Sequence, residues 1–256
     1  MYVTVLGCQA GMPDGGRASS GYVVTTGSCR LLLDCGPGVA TALSGHAGAA
    51  ALDGIVISHL HPDHCYDLLP VGTTLLRHGR PIPLYLPGGG AALLTALGAL
   101  FPVIPGGDAP PFQEAFTVHE YAPGDTVHMG DCTLTLYGLR HAMPNCGVRI
   151  HDGTVSLAYT GDTGPTAAVL TMAAGVDLLL AEATMVDGDS GDYGHLSAID
   201  AGRVAAEADV GQLVLTHLFA TDADSVRASA EEAARAFTGP VHVAQPGACY
   251  RVGPAN

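Results

Sequence analysis

The pattern of hydrophobic and polar residues predicts that the chain begins with β structure and continues as an alternation of strands and helices. Short apolar runs predict strands at Tyr2–Leu6, Gly21–Thr26, Cys29–Asp34, Ile55–Ser58 and Pro83–Leu86. The second and third of these strands form a hairpin that turns at Gly27-Ser28. Longer segments predict helices over His64–Arg77 and Ala91–Leu100.

The second half of the chain repeats this order. Four consecutive runs predict strands over Phe116–Glu120, Cys132–Arg140, Cys146–His151 and Val155–Thr160. The rest predicts helix Pro165–Ala174, strand Asp177–Ala181, helix Ser197–Ala208, strand Gln212–Thr216, helix Ala223–Phe237 and a short final β segment. We therefore expect one domain over residues 1–256, with an α/β (α+β) fold in which packed sheets lie between outer helices. The similar order of the two halves hints at an internal duplication.

One uncharged stretch, residues 81–107, tests whether the chain enters a membrane. Its apolar part, Ala91–Ile104, is bounded and interrupted by glycines and prolines. It is also shorter than the roughly 20 residues that a membrane-spanning helix requires. We interpret the stretch as a buried strand, a turn and a helix, and we expect no membrane partner.

The charge balance argues against a nucleic-acid-binding surface. The chain has 24 acidic and 10 basic residues, all of the latter arginine, and a formal net charge of −14. Binding to nucleic acid normally requires clustered positive charge that replaces the counterions of the phosphates. The tightest groupings, Arg77 with Arg80 and Arg140 with Arg149, suit a single phosphate. Folded nucleic acid is therefore not an expected partner.

The N-terminus and the cysteines indicate a cytoplasmic protein. The first residues contain neither a positively charged segment nor an apolar run of signal-peptide length. The seven cysteines are an odd number and form no Cys-x-x-Cys pair. We expect them to be reduced and mostly buried thiols.

The strongest chemical signal follows the predicted strand Ile55–Ser58. The segment His59-Leu60-His61-Pro62-Asp63-His64 places four potential metal ligands within six residues. Imidazole and carboxylate groups suit zinc and similar divalent ions. In a turn that leads into a helix, the first two histidines face one point while Asp63 and His64 wrap toward a second, so two adjacent metal ions are plausible.

This segment resembles the HxHxDH signature of the metallo-β-lactamase superfamily, which implies a four-layered αββα sandwich. The family also has a later His, a bridging Asp and a last His, and the matching candidates here are His141, Asp162 and His217. The resemblance implies two divalent metal ions, with zinc preferred over manganese. One ion would take His59, His61 and His141, the other Asp63, His64 and His217, and Asp162 would bridge both. It also implies that Asp34 orients a metal-binding histidine.

Two further segments resemble the ribonuclease Z-like phosphodiesterases of this superfamily. They are Glu182-Ala183-Thr184 and Gly194-His195-Leu196-Ser197. The resemblance implies that His195, held by Glu182, binds the phosphoryl group or protonates the leaving oxygen, because an alkoxide leaves poorly without a proton. Asp63 would orient the nucleophile and accept its proton.

The chain departs from ribonuclease Z in ways that bear on its substrate. No insertion has the length and basic, glycine-rich character of the arm that grips tRNA, and the loop at Asp14–Arg17 lacks a basic pattern. We therefore expect a small phosphodiester, such as a cyclic nucleotide, a cyclic ribose phosphate or a short nucleotide. The alternative is a hydrolase of carboxylic esters, thioesters or lactones, and a minor alternative is a non-catalytic metal-binding module. A homodimer is compatible with the sequence.

Overall fold

Two seven-stranded sheets form the centre of the molecule. The computed structural model describes residues 1–100, 112–186 and 194–254. The first seven strands are β1 (Tyr2–Gly7), β2 (Gly21–Thr25), β3 (Arg30–Leu33), β4 (Gly54–Val56), β5 (Ile82–Pro87), β6 (Phe116–Tyr121) and β7 (Thr126–Met129). The others are β8 (Cys132–Leu139), β9 (Asn145–His151), β10 (Ser156–Tyr159), β11 (Leu178–Glu182), β12 (Leu213–Thr216), β13 (Val241–Val243) and β14 (Cys249–Arg251).

The strand order brings the loops that carry the sequence motifs to one edge of both sheets. The first sheet has the order β14-β1-β2-β3-β4-β5-β6, and the second has the order β13-β12-β11-β10-β9-β8-β7. Strands β3 to β6 are parallel, and so are β10 to β13. The carboxyl ends of parallel strands lie at the same edge, which is where ligand sites form in such sheets.

Helices cover the outer face of each sheet. They are α1 (Val39–His46), α2 (Pro62–Cys65), α3 (Leu68–Leu76), α4 (Gly90–Leu100), α5 (Ala167–Ala173), α6 (Ala198–Glu207) and α7 (Ala223–Ala234). Short 3₁₀ turns occur at Ala49–Ala51 and Phe112–Ala115.

Three apolar clusters define four layers. The first lies between the sheets, where Leu31 and Leu33 of β3 pack in the same cluster as Leu134 of β8. Leu32 points to the opposite face and joins the cluster beneath α1, α3 and α4, because side chains alternate along a strand. The third cluster lies between the second sheet and α5, α6 and α7. The expected four-layered αββα sandwich is therefore confirmed.

The helix predicted over His64–Arg77 is divided into α2 and α3. The reason is a backbone contact with the loop that follows β3. The carbonyl oxygen of His64 accepts a hydrogen bond from the N–H of Cys35 at 2.7 Å, and the N–H of Asp67 donates to the carbonyl of Cys35 at 2.9 Å. These two groups are therefore not available for the bonds of a continuous helix.

Several elements differ from the sequence expectations. Helix α1 and strand β7 were not predicted, and the single final β segment is two strands, β13 and β14, in different sheets.

The strand and helix expected within residues 81–107 are present as β5 and α4, whereas residues 101–107 lie outside the described residues. Helix α4 is only partly buried, since Leu94 is covered but Leu100 is 70% exposed. The cysteines are free thiols, and all but Cys249 are buried, as expected.

Membrane insertion finds no support in the helices. Among residues 1–100, 112–186 and 194–254, no helix combines the length and apolar character needed to cross a bilayer.

The close contact of α6 with α7 gives a prediction about stability. A Cβ atom added to Gly202 would lie 2.4 Å from the carbonyl oxygen of Ala233. We expect Gly202→Ala to lower the free energy of unfolding by about 1–3 kcal/mol, since overpacking forces the two helices apart. The midpoint of urea unfolding, followed by circular dichroism, measures this change.

Gly45→Ala in α1 is the matched control. An added Cβ there meets no atom within 4 Å. Because alanine favours helix over glycine, we expect a gain of about 0.5–1 kcal/mol. Equal unfolding midpoints for the two variants would contradict the packing argument.

Candidate metal centre

The HxHxDH segment begins shortly after β4 ends at Val56, and Tyr121 contacts the backbone between the two. The hydroxyl of Tyr121 donates to the carbonyl oxygens of Ile57 and Ser58, at 2.5 and 3.0 Å. The carbonyl of Ser58 also accepts from the N–H of Cys146 in β9 at 3.0 Å, so at this point the chain contacts the second sheet. The strand predicted over Ile55–Ser58 ends at Val56. His59 and His61 lie on the loop beyond it, and His64 lies in α2.

Two side-chain clusters carry the predicted ligands, and a third group of possible ligands, Asp162 with His195 and His217, overlaps them. The first cluster consists of His59, His61, His141 and Asp162. The Nδ1 atom of His61 lies 3.0 Å from Nε2 of His59 and 3.1 Å from Nε2 of His141. Asp162 Oδ2 lies 3.7 Å from His59 Nε2 and 4.0 Å from His141 Nε2. Three imidazole nitrogens and one carboxylate oxygen thus converge on a single point.

The second cluster consists of Asp63, His64 and His217. The Nε2 atoms of the two histidines are 3.3 Å apart, and His217 Nε2 lies 3.2 Å from Asp63 Oδ2. Asp162 faces this cluster with its other oxygen, since Oδ1 lies 3.4 Å from His64 Nε2. The Asp162 carboxylate therefore lies between the two clusters and turns one oxygen to each.

Asp34 lies behind the second cluster, where a residue that orients His64 must be. Its Oδ2 atom accepts hydrogen bonds from His64 Nδ1 at 2.7 Å, from the Ser58 hydroxyl at 2.8 Å and from the Tyr159 hydroxyl at 2.5 Å. Its Oδ1 atom accepts from the backbone N–H of Ser58 at 2.7 Å. The Asp34 side chain is fully buried, and these donors replace the water it has lost.

The pair of Glu182 and His195 lies beside both clusters. His195 Nδ1 is 2.9 Å from Glu182 Oε1 and 4.0 Å from Asp162 Oδ2. The buried Glu182 carboxylate also accepts from the backbone N–H of Thr163 at 2.6 Å and of Thr184 at 3.2 Å. Burial alone would lower the pKa of His195, but the hydrogen bond and charge of Glu182 outweigh burial and raise it.

Comparisons with known proteins identify the family. A model described as a beta-lactamase superfamily domain matches residues 29–218. The probable metallo-hydrolase YhfI of Bacillus subtilis is 33% identical over 96% of this chain and 98% of its own. The crystal structure of YhfI, described as a metallo-beta-lactamase fold protein, matches with a TM-score of 0.85, covering 97% of this chain and 98% of that one at 29% identity. The chain belongs to the metallo-β-lactamase superfamily.

Another relative lies within the branch suggested by the sequence. A ribonuclease Z of Mycolicibacterium paratuberculosis is 33% identical over 94% of this chain and 94% of its own. Membership of the superfamily and the His/Asp clusters together identify the chain as a metal-dependent hydrolase.

The buried carboxylate of Asp162 shows that the clusters fit divalent cations. Its Oδ1 atom is buried and has no hydrogen-bond partner among the described residues. A buried carboxylate oxygen without a partner is costly, and a cation between the clusters removes that cost. The donor set, imidazole and carboxylate with no thiolate, is one that zinc and related divalent ions accept.

Protonation of the first cluster also suits metal binding. Burial, reinforced by the neighbouring histidines, lowers the pKa values of His59, His61 and His141. These rings are therefore neutral at pH 7, as metal ligands must be. His64 differs, because the charges of Asp162 and Asp34 outweigh its burial and raise its pKa. A metal ion binding there must displace a proton.

Outer hydrogen bonds fix the tautomers of His59 and His64. His64 Nδ1 donates to Asp34, because a carboxylate can only accept. The hydroxyl of Ser58 gives its single proton to Asp34, so at its contact with His59 Nδ1, at 3.1 Å, it is the acceptor. In their neutral forms both rings therefore carry the lone pair on Nε2, the atom that faces the clusters.

His141 and His217 are fixed in the same way from the second sheet. The carbonyl oxygen of Gly194 accepts from His141 Nδ1 at 3.0 Å. The hydroxyl of Thr184 donates to the carbonyl of His217 at 2.9 Å, so at 2.8 Å it accepts from His217 Nδ1. Gly194 must be glycine, because its φ is +67° and a Cβ atom would lie 2.8 Å from the Cα of His141.

Sequence reasoning assigned no role to three of these outer partners. Thr184 and Gly194 lie inside segments that resemble the ribonuclease Z-like group, so the resemblance is the signal that could have found them. Tyr159 lies in an apolar strand and reaches Asp34 across the space between the sheets. Nothing in a single sequence indicates that contact.

The contact of Thr184 with His217 gives a prediction about metal affinity. Thr184→Val keeps the shape of the side chain but removes the acceptor for His217 Nδ1. We expect zinc affinity to fall about 10- to 100-fold, which is the usual effect of losing such a partner. Competition with a chromophoric chelator measures the affinity.

Thr216→Val is the control, because Thr216 is also buried next to His217 but its hydroxyl contacts the hydroxyl of Tyr22, at 2.6 Å. We expect this variant to retain its zinc affinity. Equal affinity in the two variants would show that Thr184 does not orient the histidine.

Proposed function

We propose that the protein is a phosphodiesterase that hydrolyses a small phosphodiester with the help of two divalent metal ions, zinc in preference to manganese. The observation that carries the proposal is the position of the His195–Glu182 pair. The Nδ1 atom of His195 lies 4.0 Å from Oδ2 of Asp162, the carboxylate that lies between the two clusters. Chemistry at a phosphodiester needs a proton or positive charge beside the leaving oxygen. The relative named ribonuclease Z supports the same class of bond.

The two clusters suit two ions. His59, His61 and His141 would hold one, Asp63, His64 and His217 the other, and the Asp162 carboxylate would bridge them. When bound, such ions lower the pKa of a water molecule and supply positive charge that stabilises the transition state. The opposite directions of the two Asp162 oxygens support this division.

Asp63 would orient the attacking water and accept its proton. Burial raises the pKa of this carboxyl, but the hydrogen bond from His217 and the charge of His64 outweigh burial and lower it. Asp63 is therefore ionised at neutral pH, as a proton acceptor must be. Its side chain is 13% exposed, whereas that of Asp162 is only 3% exposed, so Asp63 is the more accessible carboxylate.

His195 would act at the opposite side of the reacting phosphate. The Glu182 carboxylate accepts from Nδ1 and raises the pKa of the ring, which favours the imidazolium form. An imidazolium can bind a phosphoryl oxygen or give its proton to the departing alkoxide. Its side chain is 19% exposed, so it is within reach of a bound substrate.

A small substrate agrees with the charge of the chain. With a net charge of −14 and no lysine, the protein lacks the positive surface that a polyanion needs. We therefore infer a cyclic or dinucleotide-sized ester rather than folded RNA.

The rival function is hydrolysis of a carboxylic ester, thioester or lactone. The observation that favours it is the apolar character of three exposed side chains on loops near the clusters, Met12, Val186 and Phe219. The same metal chemistry attacks a carbonyl carbon. Assays with bis(p-nitrophenyl) phosphate, cyclic nucleotides, a lactone and p-nitrophenyl acetate separate the two functions.

The bridging position of Asp162 gives a prediction about metal content. We expect about two metal ions per chain in the unaltered protein and weakened binding at both sites in Asp162→Ala, measured by elemental analysis after dialysis. Asp67→Ala is the control, because Asp67 is a buried carboxylate that caps Ala40 instead. Two tightly held ions and full turnover in Asp162→Ala would show that the bridging role is wrong.

The role of His195 gives a prediction about leaving groups. We expect His195→Ala to keep its metal but lose a factor of about 10²–10⁴ in rate on an ester with an alkoxide leaving group. The loss should shrink for the matched p-nitrophenyl ester, since p-nitrophenolate needs no proton. His242→Ala, which alters an exposed histidine of β13, should behave like the unaltered enzyme.

The rates of His195→Ala on the two esters show which role the side chain has. An equal loss on both indicates binding of the phosphoryl group rather than proton donation. A loss of bound metal would make His195 a structural residue. Turnover of the lactone and the acetate without turnover of any phosphodiester would overturn the proposed function.

A further inference from the structure

Exposed apolar side chains are concentrated on the loops that leave the sheets near the metal-binding clusters. Met12 follows β1, Val186 follows β11 and Phe219 follows β12, and they are 58%, 82% and 62% exposed. They are half of the six large apolar residues that are exposed in the described part of the chain. Contiguous exposed apolar surface is uncommon in folded proteins and often marks a binding site.

The backbone around Phe219 is held in place although its ring is exposed. The side-chain amide of Gln9 donates to the carbonyl of Phe219 at 3.0 Å, and the N–H of Ala10 donates to the carbonyl of Leu218 at 3.2 Å. A Cβ atom on Gly11 would lie 3.7 Å from the Phe219 ring. The backbone that carries the ring is therefore fixed before a ligand binds, which lowers the entropic cost of binding.

A small cavity adjoins this ring. Its volume is about 190 Å³, and its lining includes Phe219, Ala183, Leu218, Thr184 and Glu232. This is smaller than the roughly 300–1,000 Å³ of a site that encloses a whole drug-sized ligand. The cavity therefore suits one flat ring system of a larger substrate.

Thr184 connects the cavity to the catalytic region. It lines the cavity and its hydroxyl accepts from His217, a residue of the second cluster. Thr184 and the ring of His217 therefore lie between the cavity and the second cluster. Phe219 lies two residues after His217, so its exposed ring is on the loop that carries this ligand candidate.

The polar wall of the cavity distinguishes between possible ligands. Glu232 of α7 is half-buried there, and Ser229 lies one turn before it. Within the described residues the Glu232 carboxylate has no hydrogen-bond or ion-pair partner. An acyl chain has no donor for this carboxylate, whereas a nucleobase offers both a flat face for Phe219 and N–H groups for Glu232.

We propose that this cavity is a nucleobase subsite in which the base stacks on Phe219 and an N–H group of the base donates to Glu232. The inference rests on the proposed phosphodiesterase function and makes it more specific, because the substrate becomes a nucleotide ester rather than a sugar phosphate. Substrates with and without a base must then differ in their dependence on Phe219.

Two esters with the same leaving group test this dependence. They are thymidine 5′-(p-nitrophenyl phosphate) and methyl p-nitrophenyl phosphate. The first carries a nucleoside where the second carries a methyl group. We expect Phe219→Ala to lower kcat/KM for the thymidine ester roughly 5- to 150-fold, the usual effect of losing base–aromatic stacking, and to leave the methyl ester unchanged. Phe219→Tyr should restore turnover of the thymidine ester.

Leu100→Ala is the matched control, because Leu100 is 70% exposed on α4 and is not part of the cavity. It should leave both esters unchanged. An equal effect of Phe219→Ala on the two esters, or none on either, overturns the nucleobase subsite while the phosphodiesterase function stands. If the unaltered enzyme hydrolyses neither these esters nor a cyclic nucleotide, the phosphodiesterase function itself fails.

A binding measurement gives a readout that does not depend on turnover. By titration calorimetry, we expect adenosine 5′-monophosphate to bind more tightly than ribose 5-phosphate to the unaltered protein. This preference should disappear in Phe219→Ala. Equal affinities for the two phosphates in the unaltered protein would overturn the proposal. A selective loss of p-nitrophenyl butyrate hydrolysis over acetate hydrolysis in Phe219→Ala would assign the cavity to an acyl chain instead.

Discussion

The buried carboxylate of Asp34 is the contact on which the geometry of the centre depends. It lies at the end of β3 in the first sheet and binds His64, but its third donor, Tyr159, comes from β10 in the second sheet. A second tyrosine makes the reverse connection, since Tyr22 of β2 contacts the hydroxyl of Thr216 at the end of β12. The two rings pack together with centroids 5.1 Å apart. The hydrogen bond of Asp34 with Tyr159 and the packing of the two rings thus hold the sheets together directly behind the residues that face each other across them.

Local backbone strain accompanies this arrangement. Asp34 and His217 both have φ near +56°, a conformation that residues other than glycine adopt at a cost. Such residues persist where the surrounding contacts over-determine them. Asp34 is held by its four hydrogen bonds, and His217 by two contacts with Thr184. In this backbone conformation, the side chain of Asp34 reaches Tyr159 and the side chain of His217 reaches His64, each across the space between the sheets.

The layers were predictable from local patterns, because buried strands appear as apolar runs. The HxHxDH segment carries four of the clustered residues within six positions. The other three, His141, Asp162 and His217, were indicated by the resemblance to the family and not by a local pattern. Contacts between distant segments were not predictable. The division between α2 and α3 depends on Cys35, and the tautomer of His217 depends on Thr184, 33 residues away in the chain. Helix α1 was missed because its sequence, VATALSGH, lacks a clear apolar period.

The carboxylates of the centre are stabilised in different ways, and this difference would allow one centre to combine metal binding with the proposed proton transfer. Asp34 is saturated by donors, so it acts only through His64. Glu182 is held by two backbone N–H groups and His195, so its charge acts on that ring. Asp63 retains some exposure and a low pKa, which suit an acceptor. Among these four, only Asp162 keeps a buried oxygen that accepts no hydrogen bond, and a cation bound between the clusters would be its partner.

The loops that carry the clusters contain buried residues next to the strand ends and exposed residues further along. The residues next to the strand ends, such as Thr184 and His217, are buried and fixed by hydrogen bonds, whereas Val186 and Phe219, two residues further along, are exposed. Substitution at the exposed positions leaves the hydrogen bonds of the clusters intact. Substitutions at the loop tips would therefore change substrate preference without altering the clusters that could hold metal. This separation is a physical reason why one fold and one set of clustered residues support different substrates, and why the side chains at the tips must be tested to find the substrate.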